Sequence, residues 1–388
     1  MEKKQVTALI AIDLSAAFDT VDHDILIDVL QKQYGLGGLA LNWVDSYLRP
    51  RSCKVCVNTT MSSPRQLQCC VPQGSCLGPW LYLTYAGTIF DVIPPSVSVY
   101  GFADDHTANI RFEPSSGASE NIAIEKLEHS AVVINDWMNK NKLKMNTSKT
   151  EFIMFGSKQQ LKKCTDVKNI NGDNIKPESC VRYLGAFLDE RLNFKEHVKR
   201  KCRTAMLNYL RIKSIRKYLT KEATEILVLS LVVSHLDYCN VILYGIADTD
   251  LRKMQRIQNM SAKLVLQRKK FDSSKQALYD LHWLPVKSRI NFKVLTFMFN
   301  CSVGHAPEYL TELLTKQVPD ERLRSARSSE GCYTVPFNKN KTFSDRSFGT
   351  IGPRLWKNLP PSVRNSQSLD IFKKKLKTHF FRDLEAQF

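Results

Sequence analysis

The chain has 388 residues, 43% hydrophobic and 24% charged, a balance that fits folded domains and excludes a disordered polyelectrolyte. Its 56 Lys and Arg against 38 Asp and Glu give a formal net charge of +18. Residues 1–188 hold 19 basic and 19 acidic side chains, so the whole surplus falls in residues 189–388, with 37 against 19. A neutral part followed by a strongly basic one fits a reaction centre joined to a polyanion-binding surface. A solvated basic face is the plain alternative.

In chain order, the apolar run Val6 to Ile12 ends at Asp13 and reads as a buried strand with a carboxylate at its tip. A helix is predicted from about Asp22, with Ile25, Leu26, Val29 and Leu30 on one face, stopping before Gly35. Asp19, Asp22 and His23 read as turn and helix-start residues. Trp43, Val44, Tyr47 and Leu48 mark a second helix, ended by Pro50. The eleven cysteines, with no secretory signal ahead of them, read as reduced thiols of an intracellular protein. Cys53, Cys56, Cys69 and Cys70 lack a His pair to complete a zinc site, so buried thiols are expected there. Two short strands then lead into Val71-Pro72-Gln73-Gly74-Ser75, a turn opening an apolar helix to about Val92.

Val97 to Ala103 and Ala108 to Phe112 predict a hairpin with Asp104 and Asp105 at its tip. A helix over about 120–140, a strand from Glu151 to Phe155, a turn at Asn171-Gly172 and a strand from Val181 to Leu188 follow. Helices are then predicted over about 193–218, 221–245, 249–267 and 287–302, the first carrying Lys199, Arg200, Lys201 and Arg203. Residues 316–350 read as an irregular basic linker, and Ser368 to Phe381 as a closing basic helix. The apolar stretch Ile226 to Ile246 contains His235, Asp237 and Asn240, which fits a core helix rather than a membrane span.

Asp13 lies 91 and 92 residues before Asp104 and Asp105, yet each is placed at a strand end. If those strands are neighbours, three carboxylates converge at one sheet edge and need a cation between them. Hard oxygen donors favour Mg²⁺, and a pair of such ions suits in-line phosphoryl transfer. An Asp-Asp pair alone is more often a turn. The order Asp13, then Gln73-Gly74-Ser75, then Asp104-Asp105 is far more specific.

Ala11 through His23, with Asp13 and Phe18, resembles motif A of reverse transcriptases from non-LTR (LINE) retrotransposons of the jockey-related group. Val71 to Pro79 resembles motif B, Phe102-Ala103-Asp104-Asp105 motif C, Trp137 to Gly156 motif D, and Tyr183-Leu184-Gly185 motif E. A weaker likeness continues through Leu281 to Pro285 and Gly352 to Pro360. The resemblance implies that Asp13, Asp104 and Asp105 are the catalytic, metal-binding acids, with Leu14 offering its carbonyl. It implies two Mg²⁺ ions, with Mn²⁺ as a substitute. Phe18 would lie under the incoming sugar and reject a 2′-hydroxyl, with a plain core role as its alternative. Gln73 and Gly74 would lie against nucleotide and template, and Lys149 would face the departing pyrophosphate or be an ordinary surface lysine. Tyr183, Leu184 and Gly185 would seat the primer end, while Lys199, Arg200, Lys201 and Arg203 grip the template–primer backbone.

The fold so implied is α+β: a reverse-transcriptase palm over residues 1–192, with a small antiparallel sheet backed by helices. An all-helical thumb or connection over 193–315 and a basic region over 316–388 complete it. Only twelve residues precede Asp13, so the upstream fingers are expected to be missing. Cys70 stands where the family usually has glycine, and Ala86-Gly87-Thr88 replaces a common Ile-Asn-Asp-like triplet. The expected partners are an RNA template, a DNA primer and dNTPs, with no membrane and no clear protein partner. The family's mode of integration implies the nucleus, although Lys373-Lys374-Lys375 is short for an import signal. Two functions follow: an RNA-directed DNA polymerase domain, or a catalytically inactive remnant that binds nucleic acid through its basic half.

Overall fold

The computed structural model describes residues 5–114, 117–164, 168–170, 173–317, 331–338 and 343–385. The chain forms two compact units, Lys3–Gly185 and Ala186–Phe388. The Asn171-Gly172 turn lies outside the described residues, although Lys168–Ile170 and Asp173–Ile175 on either side pair antiparallel.

The first unit is built on a four-stranded antiparallel sheet. Its strands are β1 (Val6–Ile12), β2 (Ser98–Phe102), β3 (Asp105–Phe112) and β4 (Glu151–Phe155), in spatial order β2-β3-β1-β4. Val6, Ala8, Ile10 and Ile12 of β1 are buried, while Thr7, Leu9 and Ala11 between them are half-buried. The apolar run is a strand buried on one face and half-buried on the other. On the covered face it joins Leu26, Tyr85, Leu127 and Ile134 in a single core. These come from helices α1 (His23–Lys32), α3 (Gly78–Gly87) and α4 (Gly117–Lys140), while α2 (Gly38–Leu48) adds Val44 and Leu48.

Two of these helices start where the sequence offers a device for it. Asp22 caps α1 by accepting from the Asp24 and Ile25 N–H groups at 3.0 and 3.1 Å. Pro79 sits in the first turn of α3, where its missing N–H costs nothing. The buried residues of α4, among them Ala123, Leu127, Ile134 and Met138, recur at the helical period.

Between α2 and α3 the chain makes two small ribbons, Arg51–Cys53 with Arg65–Leu67 and Cys56–Val57 with Thr60–Met61. They stand away from the core. Cys53, Cys56 and Cys69 are accordingly exposed and Cys70 half-buried, which corrects the expectation of buried thiols.

The second unit is helical, with α5 (Lys195–Ile215), α6 (Lys221–Val228), α7 (Asp248–Val265), α8 (Ser274–Asp280) and α9 (Val286–Ser302). Two further helices close it, α10 (Phe348–Lys357) and α11 (Leu369–Glu385). It holds two cores, and α9 serves both. Val286 and Ile290 join one with Val198, Val232 and Met254. Leu295, Met298 and Phe299 join the other with Trp356 and Phe372.

The single helix predicted over 221–245 is broken. A π turn at Leu229–Val233 and a short helix at Ser234–Asp237 follow α6, and a 3₁₀ turn at Asn240–Leu243 comes after Cys239 at φ +52°. Ser230 and Ser234 donate back to the Ile226 and Ser230 carbonyls, the kind of side-chain bond that widens a helical turn. Helices α8 and α10 were not expected. In α10 Gly352 and Pro353 mask the pattern, yet Gly352 leaves the space that the Met298 side chain of α9 fills. Among the described residues no helix is long and apolar enough to cross a membrane.

Candidate active site

The acids are brought together by register. In the pairing of β1 with β3, Ile12 lies opposite His106, so the next step places Asp13 across from Asp105. The hairpin from β2 to β3 pairs Phe102 with Asp105, leaving Ala103, at φ +54°, and Asp104 as its two-residue turn. Asp104 thus sits at the tip, while Asp105 opens the strand rather than sharing the turn. Buried His106 donates from Nδ1 to the Asp104 carbonyl at 3.1 Å and braces the turn.

Asp13 is held from the other side. Its carbonyl accepts from Asn146 N at 2.9 Å, and Ser15 N donates to Lys144 O at 2.9 Å. Leu14, buried, bridges Met145 in the same short ladder.

The electrostatics are one-sided. Partial desolvation first, then the carboxylates of Asp104 and Asp13, push the Asp105 pKa above the ordinary value. Asp13 Oδ2 is shut off from solvent and accepts no hydrogen bond among the described residues. The Lys149 ammonium stands 3.8 Å from that oxygen, beyond hydrogen-bonding reach. This is an anionic corner short of a cation.

Its oxygen donors fit a hard divalent ion. Among the described residues, however, no three His, Cys, Asp or Glu side chains lie close enough to hold a metal by themselves. That pattern suits Mg²⁺, which is commonly bound by one or two carboxylates together with substrate phosphate.

Phe18 is half-buried and stacks on Tyr82, ring centroids 4.6 Å apart at 24°. Tyr82 is fully buried on α3 and its hydroxyl has no hydrogen-bond partner among the described residues. Burial first, then Asp104, Tyr85 and Asp105, raise the Tyr82 pKa, so the phenol stays neutral beside the acids. The sequence reading missed this residue, because a tyrosine within an apolar helix carries no signal beyond core.

The segment before the Gln73-Gly74 loop is clasped to the turn after β1. Cys70 N donates to Val21 O at 2.8 Å and Val71 N to Phe18 O at 2.9 Å. His23 Nε2 donates to Cys70 O at 2.9 Å. Gln73 and Gly74 are exposed at the loop tip, Gly74 at φ +81°. Ser75 Oγ donates to Pro72 O at 2.8 Å and accepts from Gly78 N at 2.9 Å, tying the loop to the start of α3.

Asp22 adds a matched charge nearby. Its carboxylate pairs with Lys142 Nζ at 2.5 Å. Burial opposes ionisation there, but Lys142 and the N–H groups of Ile25 and Asp24 outweigh it and hold the Asp22 pKa below the ordinary value.

Asp13 and Lys149 line a cleft of about 450 Å³ together with Ser148, Glu151, Glu178 and Arg182. Arg182 is the second residue that sequence reasoning passed over; its positive charge acts on Asp105. Tyr183, Leu184 and Gly185 follow directly and are half-buried, with Leu184 at φ +44° and Gly185 at +75°.

In the second unit Lys199, Arg200 and Arg203 are exposed on α5 and Lys201 is half-buried. Glu196 pairs with Lys199 at 3.5 Å and Arg200 at 2.7 Å, Arg200 lies 4.3 Å from the Phe187 ring centre, and Lys201 4.2 Å from that of Tyr238. Of these four, Arg203 is the least engaged by its surroundings.

Residues 1–188 match the family described as reverse transcriptase (RNA-dependent DNA polymerase). Over 277 residues the chain is 29% identical to a probable RNA-directed DNA polymerase from transposon BS of Drosophila melanogaster. It is 26% identical over 275 residues to the corresponding protein from transposon X-element of the same fly. Each alignment covers 68% of this chain and 29% of the relative, so the chain spans less than a third of the length of these proteins. The RNA-directed DNA polymerase from mobile element jockey is 28% identical over 204 residues, 51% of this chain and 21% of that one. A telomerase structure from Candida tropicalis superposes with a TM-score of 0.32 at 13% identity, covering 71% of this chain and 49% of that one, which is too loose to build on. The ordered motifs, the shared sheet end and the sequence relatives agree: residues 1–188 form a reverse transcriptase domain similar to those of non-LTR retrotransposons.

Proposed function

We propose that the first unit is the palm of an RNA-directed DNA polymerase, with Asp13, Asp104 and Asp105 as its catalytic acids. The observation that carries this is the anionic corner, where Asp13 Oδ2 has no hydrogen-bond partner among the described residues and Asp105 is crowded by two carboxylates. Like charges in that position are unfavourable unless a cation completes them. Two Mg²⁺ ions, when bound there with a dNTP, would lower the pKa of a primer 3′-hydroxyl and neutralise the departing pyrophosphate.

The chain's own residues then do the positioning. Asp13 and Asp105 present oxygens from facing strands, and Asp104 presents a third from the turn. Leu14 adds its carbonyl at the Asp13 step. Phe18, fixed by Tyr82, forms a wall beneath the incoming sugar that leaves no room for a 2′-hydroxyl. Gln73 and Gly74 lie along nucleotide and template. Lys149 moves its charge from Asp13 to the pyrophosphate as that group leaves. Tyr183, Leu184 and Gly185 seat the primer end, and Lys199, Arg200, Lys201 and Arg203 take up backbone phosphates as a thumb.

The test is primer extension by the full chain on an RNA template with Mg²⁺ and dNTPs. Asp104→Ala is expected to lower incorporation roughly a thousandfold, about 4 kcal/mol of barrier, with template–primer binding retained. Template–primer binding without incorporation by the unmodified chain would instead mark a remnant that only binds nucleic acid.

A further inference from the structure

The second unit holds a charge imbalance of the opposite sign, beside the start of α5. A cavity of about 360 Å³ is lined by Asn193, Lys195, Tyr244 and Gly245 on one side and by Asp345, Arg346 and Arg354 on the other. Arg346 is the centre of it. Its Nη2 donates to the Leu192 carbonyl at 2.7 Å, but its Nε is buried with no hydrogen-bond partner among the described residues. Burial pulls its pKa below the ordinary value, against the pull of Asp189. The Asp189 oxygens are already engaged by the N–H groups of Arg191, Asn193 and Phe194 at 2.6–3.2 Å.

Asp345 is likewise occupied. It accepts from Arg354 Nη2 at 3.1 Å and from Asn338 Nδ2 at 3.2 Å. Lys195 is exposed at the start of α5 and reaches the cavity as a third cation. Gly245, at φ +69°, leaves the opening clear; a Cβ there would sit 2.8 Å from Arg346 Cγ. A partly desolvated guanidinium with one unmet N–H, flanked by an ammonium and by a second guanidinium that shares its charge with Asp345, is the chemistry that recognises a phosphate oxyanion.

We propose that this cavity seats one backbone phosphate of a bound nucleic acid, with half-buried Arg346 as the anchor and Lys195 and Arg354 as the outer contacts. A nucleic-acid source is favoured over a free phosphate because the whole +18 surplus lies in residues 189–388, the stretch that builds the cavity. The proposal does not depend on polymerase activity, since it is read by binding alone.

The test is the salt dependence of binding of a labelled RNA–DNA hybrid to the full chain, compared with the Lys195→Ala/Arg354→Gln double variant. Arg346 is left in place because its bond to Leu192 supports the fold. The double variant is expected to bind about tenfold more weakly at low salt. Its plot of log affinity against log salt should flatten by about one unit, with an unchanged melting temperature. Arg354→Lys in place of Arg354→Gln should restore most of the slope. A charge-matched control, Lys374→Ala/Lys377→Ala on the exposed side of α11, should leave the slope alone. Unchanged affinity and slope in the cavity variant would overturn the proposal, as would an equal loss in the control. Inorganic phosphate that raises the melting temperature of the unmodified chain alone, with hybrid binding unaffected by the variant, would also overturn it and assign the cavity to a small anion.

Discussion

The sheet end at Asp13 and the cavity at Arg346 are opposite cases of one condition, a cluster of like charges that the protein's own groups neutralise only in part. At Asp13 carboxylates crowd one another and a shielded oxygen has no donor. At Arg346 cations gather and the local carboxylates are already engaged. Asp22 and Lys142 show what the same fold does with charge meant only for structure, which is a direct ion pair at 2.5 Å together with two helix N–H groups. Unmatched charge within a folded chain is costly, so its persistence at two places fits the proposed ligands, each of opposite sign to its cluster. The lesson is that satisfaction, more than residue type, separates a binding acid from a structural one.

The largest effect that tests this contrast comes from the matched pair. Asp22→Ala removes a helix cap and leaves buried His23 beside an emptied site, and is expected to cost about 2 kcal/mol in urea unfolding at neutral pH. The Asp22 folded-state pKa is depressed below 3.8, so its contribution is present above that value and is lost as pH falls through the lower folded one. The difference between parent and variant should therefore shrink in acid. A constant difference across that range would show that the charge of Asp22 is immaterial.

Smaller, and of opposite sign, is Cys70→Gly. Cys70 adopts φ +99°, a conformation that side chains other than glycine resist. Glycine there is expected to stabilise the chain by about 1 kcal/mol, and a loss of stability would show that the cysteine side chain does more than strain the backbone. The smallest effect belongs to Asp105→Asn. Its folded pKa is raised above 3.8, so Asp105 destabilises the fold as pH rises from that value through the folded one, and the penalty persists at neutral pH. The amide should raise the melting temperature slightly near pH 7 and leave it unchanged well below pH 4. A variant that melts lower at neutral pH would contradict the crowding.

Much of the frame was legible because local signals carried it. The run Val6 to Ile12 with its terminal Asp13, the cap at Asp22, the hairpin acids and the basic α5 all depend on spacing within a few residues. What stayed hidden depends on distant contacts. Tyr82 reads as core until its ring is seen against Phe18, 64 positions earlier in the sequence. Lys142 looks like any surface lysine until it meets Asp22. The cysteines near the small ribbons were expected inside, because alternation signals a strand but not whether that strand joins the core. Helix α10 escaped notice since Gly349, Gly352 and Pro353 argue against a helix locally, and only packing on α9 makes it form.

The most direct test of the central claim is the effect of Mg²⁺ on the melting temperature of the full chain and of its Asp13→Asn variant, without nucleic acid. If the sheet end is an anionic site awaiting a cation, Mg²⁺ raises the melting temperature of the unmodified chain. The variant, already relieved of one charge, then melts at least as high as the unmodified chain without the ion and gains little from it. Equal responses to Mg²⁺ in the two proteins, or a variant that is strongly destabilised like Asp22→Ala, would mean that Asp13 is a structural acid and that the metal site is not where the charges place it.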